Sequence, residues 1–138
     1  MKKSVCAICL LFFMFFGLTA CKNREQAQSA GRVVTDITVT CQNGPIRISR
    51  HYTAAEKVRA ILNYLRWIDP YGNPPEDPDA LEGNLFQIIM RFSDGSEKIY
   101  LQKADRYMQI DGKPWQTIDP QKALTLSQMV GQMASDNI

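Results

Sequence analysis

Covalent catalysis at a hydroxyl or thiol needs a base beside the nucleophile, and this chain offers a single histidine, His51. It stands just ahead of a helix-start signal, where a surface or capping role is usual. After Cys21 the one thiol is Cys41, and no C-x-x-C or H-x-x-x-H spacing follows to hold zinc. No glycine-rich phosphate loop occurs. Asp77, Asp79 and Glu82 bring oxygens close enough in sequence to consider Ca²⁺. Their spacing departs from the calcium loop in which ligand positions and the glycine are fixed, and Pro78 stiffens the turn between the aspartates. They read as a solvated acidic loop. The expectation is no metal, no cofactor and no enzyme activity, which leaves recognition. Tyr71, Tyr100 and Trp115 are the candidate binding residues, because a ring with a polar tip suits protein or glycan contact.

The N-terminus carries chemistry of another kind. Lys2 and Lys3 precede an apolar run from Val5 to Phe16, which Leu18-Thr19-Ala20-Cys21 closes. Charged start, apolar centre and small-residue end are the order of a secretory signal peptide. Val5 to Ala20 is 16 residues, short of the ~20 that a spanning helix needs. Leu-Thr-Ala-Cys resembles the lipobox of bacterial lipoproteins: an aliphatic residue, a small one, Ala or Gly, then Cys. The resemblance implies cleavage before Cys21, a diacylglyceryl thioether on its sulfur and usually an acylated amino terminus. Two or more acyl chains attach a protein stably to a bilayer. Lys22 in place of Asp after the cysteine implies the outer membrane in a Gram-negative host. In a Gram-positive host the implied place is the outer face of the cytoplasmic membrane.

Removing residues 1–20 changes what the composition says. The whole chain has 16 basic and 14 acidic side chains; without Lys2 and Lys3 the net charge is zero, so nothing argues for nucleic acid. Cys6 and Cys9 would leave with the signal and Cys21 would carry lipid. Cys41 would then stand alone, with no disulfide framework. Charge is also segregated: residues 22–68 hold 8 basic and 3 acidic side chains, and 69–97 hold 1 and 7.

These residues must be held by elements that the pattern also predicts. Lys22 to Arg32 is polar and reads as a flexible tether, residues 21–32, ahead of one domain over 33–138. Ile37, Val39 and Cys41 alternate with threonines, the period of a half-buried strand. Asn43-Gly44 predicts a type I′ turn, and Ile46 and Ile48 the returning strand. Cys41 is expected in the core. Thr53-Ala54-Ala55-Glu56 has the form of a capping box, opening a helix to Ile68 with Val58, Ile61, Leu62, Leu65 and Ile68 on one face. Asp69 to Asn84 holds four prolines and two glycines and reads as a long loop. Leu85 to Ile118 reads as a four-stranded meander, with Phe86, Ile88, Met90, Phe92, Ile99 and Leu101 facing the core. Asp119-Pro120 starts a closing helix.

The order β-β-α-β-β-β-β-α predicts an α+β domain: a single curved antiparallel sheet of about six strands with two helices packed on one face. That order resembles TATA-box-binding-protein-like folds with one strand added at the front. The resemblance implies a curved sheet and nothing about DNA. The expectation is a lipid-anchored extracytoplasmic binding or sensing module of the bacterial envelope. Its partners would be the membrane, through Cys21, and an envelope protein, peptide or glycan. Its binding surface would be the open sheet face with Tyr100 and Trp115, bordered by Tyr71 and the proline-rich loop. Two other readings stand beside it: a small hydrolase using carboxylates such as Asp77, Asp79 or Glu82, and an accessory subunit of an envelope complex.

Overall fold

In the computed structural model, residues 32–136 are described, and Val34 onward forms one compact unit. The signal peptide, the lipid site at Cys21 and nearly all of the tether lie outside the described residues. The first hairpin pairs β1 (Val34–Asn43) with β2 (Ile46–Tyr52). Because Asn43 faces Ile46, the two-residue loop is Gly44-Pro45, one position later than Asn-Gly suggests. Gly44 has φ +56°, and proline fixes a negative φ after it. That sign pattern belongs to a type II′ turn, with glycine in the first central place. Helix α1 (Ala55–Ile68) follows, then the loop, which contains one short 3₁₀ turn at Pro78–Ala80. Strands β3 (Leu85–Phe92), β4 (Glu97–Lys103), β5 (Tyr107–Ile110) and β6 (Gln116–Thr117) precede α2 (Pro120–Gln132).

All six strands form one antiparallel sheet in the order β2-β1-β3-β4-β5-β6. The α+β class and element order are those expected. Both helices cover the same side. Val58, Ile61, Tyr64 and Ile68 from α1, with Ala123, Leu126 and Val130 from α2, join Ile37, Val39, Ile88 and Met108 of the sheet in one core. Strand alternation sends every second residue to the opposite side, which no helix covers.

Register corrects the meander. Ile88 faces Tyr100 and Phe86 faces Gln102, so Tyr100 and Gln102 share the core face, while Ile99 and Leu101 are half-buried on the other. The β4 alternation is therefore inverted relative to the expectation from its aliphatic residues. The fully buried Gln102 amide is satisfied: the Tyr64 hydroxyl donates to Oε1, and Nε2 donates to the Ala123 carbonyl and Asp105, each at 3.2 Å. A buried amide with partners costs little; without them it would cost much more.

The start of α1 also differs. Its cap is Ala54, with no side-chain cap of its own, so Thr53 and Glu56 do not form the expected box. Asp136, from the far end of the chain, meets the amide of the cap residue and of the one before it, accepting from Ala54 N–H at 2.7 Å and Thr53 N–H at 2.8 Å, with Lys57 beside it. The same segment donates Asp136 N–H to the His51 carbonyl and receives Arg50 at the Met133 carbonyl. Asp119 caps α2 as its sequence predicts, accepting from Gln121 and Lys122 N–H. Among the described residues no helix is long and apolar enough to cross a membrane.

Candidate binding surface

The uncovered face is built from four rows of cross-strand neighbours. Row one is Asp36, Arg91 and Glu97; row two is His51, Thr38, Ile89 and Ile99. Row three is Ser49, Thr40, Gln87, Leu101 and Gln109. Row four runs Arg47, Gln42, Leu85, Lys103, Tyr107 and Thr117.

The rows differ in how far their polar groups are already engaged. In row one Arg91 donates to Asp36 at 2.9 Å, to Glu97 at 3.2 Å and to the Thr38 hydroxyl at 3.1 Å. Burial alone would raise the Asp36 carboxyl; the hydrogen bonds from Arg91 and Thr35 overcome that and hold it below its usual range. His51 Nδ1 lies 3.1 Å from the Thr38 hydroxyl and 3.8 Å from Asp36. A relay would need hydroxyl and carboxylate on opposite ring nitrogens. Here both meet one nitrogen, and Arg91 also occupies the hydroxyl, so these residues brace strands.

Rows three and four are different. Thr40 and Ser49 bond each other at 3.0 Å, while the side chains of Gln42, Gln87, Gln109, Arg47 and Lys103 have no hydrogen-bond or ion-pair partner among the described residues. Leu85 and Leu101 lie between them. Together Thr40, Gln42, Arg47, Leu85, Gln87 and Leu101 line a shallow recess of about 230 Å³. Free amides around aliphatic side chains can supply hydrogen bonds and apolar contact to an extended chain. A larger groove of about 420 Å³ runs between Val34-Thr35 and α1, past Arg59 and Arg66. It is a seam where a helix meets the sheet margin, whereas the recess is lined by four strands and opens onto the continuous face of the six-stranded sheet.

The predicted aromatic residues are not brought together there. Tyr100 is 8% exposed and lies on the core face, opposite Ile88 and Ile110. Trp115 is half-buried one residue before β6, outside any strand. Tyr71 is 58% exposed, and its backbone exchanges two hydrogen bonds with Thr117, at 2.9 and 2.8 Å, on the outer edge of β6. It borders the sheet as expected, but the face itself is amide and aliphatic. Tyr107 is the aromatic residue of row four, and its hydroxyl donates to Glu76 at 2.8 Å, fastening the proline-rich loop at that end. Glu76 also meets Arg106 at 3.5 Å.

Asp77 uses its carboxylate locally, accepting from Asp79 N–H at 3.0 Å to start the 3₁₀ turn. Asp77, Asp79 and Glu82 are all exposed, and no cluster of metal-ligating side chains occurs among the described residues. Cys41 lies on the core face as expected but is half-buried, between Phe86 and Ile48. Burial raises its thiol pKa and the Asp105 charge adds to that, which disfavours the reactive thiolate. Sequence reasoning missed Leu101 and Gln109 because their face depends on register, whereas alternation alone sets Gln87 opposite the core residues Phe86 and Ile88 without marking it as a contact residue. Comparison with known proteins found no matching family model, no matching curated protein and no matching solved structure.

Proposed function

We propose that this chain is a lipid-anchored, extracytoplasmic binding or sensing module of the bacterial envelope, and that it is not an enzyme. It holds an envelope protein, peptide or glycan on its uncovered sheet face. The observation that carries this reading is the free amide and aliphatic surface of Gln42, Gln87, Gln109, Leu85 and Leu101, beside Arg47 and Lys103. A face needed only for folding would be expected to be uniformly polar toward water. The aliphatic residues between its glutamines depart from that. The anchor rests on the lipobox resemblance at Leu18 to Cys21, which would hold this face outside the cytoplasm.

The test places a photo-crosslinking residue at Gln87 on this face, and in a second variant at Gln128, exposed on α2. In living cells the Gln87 variant is expected to give a discrete adduct that the Gln128 variant lacks. The same adduct from both, or none from either, overturns the assignment of the face.

A further inference from the structure

The sheet ends on one side at β2, and two features of that edge are left unused by the described residues. Ile46 and Ile48 are 62% and 54% exposed, beyond the cover of the helices. The backbone of β2 is also only partly used. His51 bonds outward, its N–H to the Ser135 hydroxyl at 3.2 Å and its carbonyl from Asp136 N–H at 2.9 Å. In an antiparallel ladder alternate residues point their N–H and C=O to the same side, so Ser49 and Arg47 also point outward, with no partner among the described residues. Unpaired edge groups beside exposed aliphatic side chains are a template for another strand.

We propose that this edge pairs with β2 of a second copy of the chain, antiparallel, about a two-fold axis at Ile48. The register follows from the residues. With Ile48 opposite Ile48 of the second copy, Arg47 faces Ser49, Ile46 faces Arg50, and Pro45 faces His51. The outward groups of Arg47 and Ser49 then meet their counterparts and complete the ladder. The ladder ends there: Pro45 has no N–H to give and opens the turn that leads the second copy away, while the C-terminal segment already occupies the outer side of His51. On the helix side the four isoleucines form one apolar strip, with the stem of Arg50 along its ends. On the other side Arg47 lies opposite a serine, and the two Arg47 residues are diagonal neighbours, about 7–8 Å apart, free to diverge into water. Shifting the axis to Arg47 would set like charges face to face and bring Pro45 opposite Ser49, whose carbonyl would then find no N–H. The area is small beside that of a stable soluble dimer, so the pairing is weak and reversible. It continues the sheet from one copy into the next and leaves the open face free.

The test introduces Ile48→Cys and Ile46→Cys separately into the full chain, in cells treated with a membrane-permeant oxidant. Both sites are exposed, and the four native cysteines are common to both variants, so their background subtracts. Residue 48 meets itself at a non-hydrogen-bonded pair, within disulfide reach. Residue 46 lies four positions from its copy, well out of reach. The proposal expects a dimer band on a non-reducing gel for Ile48→Cys and the unsubstituted background for Ile46→Cys. Equal cross-linking of the two, or background from both, overturns it. The comparison is independent of where the chain resides, so failure of the lipid anchor would not mimic failure of the pairing.

Discussion

Tyr52 and Tyr64 are both buried tyrosines of the core, yet their hydroxyls have opposite standing. Tyr64 donates to the Gln102 amide; Tyr52 O–H is buried with no partner among the described residues. Burial pushes the Tyr64 hydroxyl well above its ordinary pKa, so it remains a donor at any working pH. Tyr64→Phe would leave the Gln102 oxygen unsatisfied and is expected to cost about 1–3 kcal/mol. Tyr52→Phe removes only an unpaired group and is expected to be neutral or to stabilise by up to about 1 kcal/mol. Urea unfolding of both variants checks the pair; equal losses would contradict the assigned hydrogen bonds. At this scale the sequence was only partly legible. Val58, Ile61 and Ile68 announce themselves by spacing, but nothing local marks Gln102 as a core residue. Its partners come from α1, the β4–β5 turn and α2.

At the scale of elements, caps and registers decide what local patterns cannot. Asp119-Pro120 is a cap within one stretch of chain and could be read directly. The bracing of the start of α1 could not, because its acceptor, Asp136, lies over eighty residues away. The hydrogen bond from Lys57, with those from the Ala54 and Thr53 amides, lowers the Asp136 carboxyl from 3.8 to about 2. A carboxyl lowered in the folded state stabilises above its unfolded pKa and loses that contribution as pH falls through the folded value. Asp136→Asn is therefore expected to melt below the wild type by a constant margin above about pH 4. The margin should close between there and about pH 2. Thermal melts of both proteins across that range check this; a margin that does not change with acidity would contradict it. The same scale explains β4. Ile99 and Leu101 look inward by composition, and only the pairing of Ile88 with Tyr100 turns them to the open face. That inversion moved the candidate site from aromatic residues to glutamines and leucines.

At the scale of the molecule, two helices on one side of six strands leave a broad face and one edge for contact. The domain was legible as α+β because strand and helix periods alternate cleanly from Ile37 to Val130. The recess was not, because it is assembled by register across β1, β2, β3 and β4. What gives the face its proposed role is the place where the chain would hold it, on a lipid at Cys21. The most direct measurement is the intact mass of the protein extracted from bacterial membranes, with Cys21→Ala beside it. The proposed account predicts a chain beginning at Cys21 and carrying a diacylglyceryl group, absent from the Cys21→Ala variant. A chain that keeps residues 1–20, or a variant cleaved and membrane-bound as before, would contradict it.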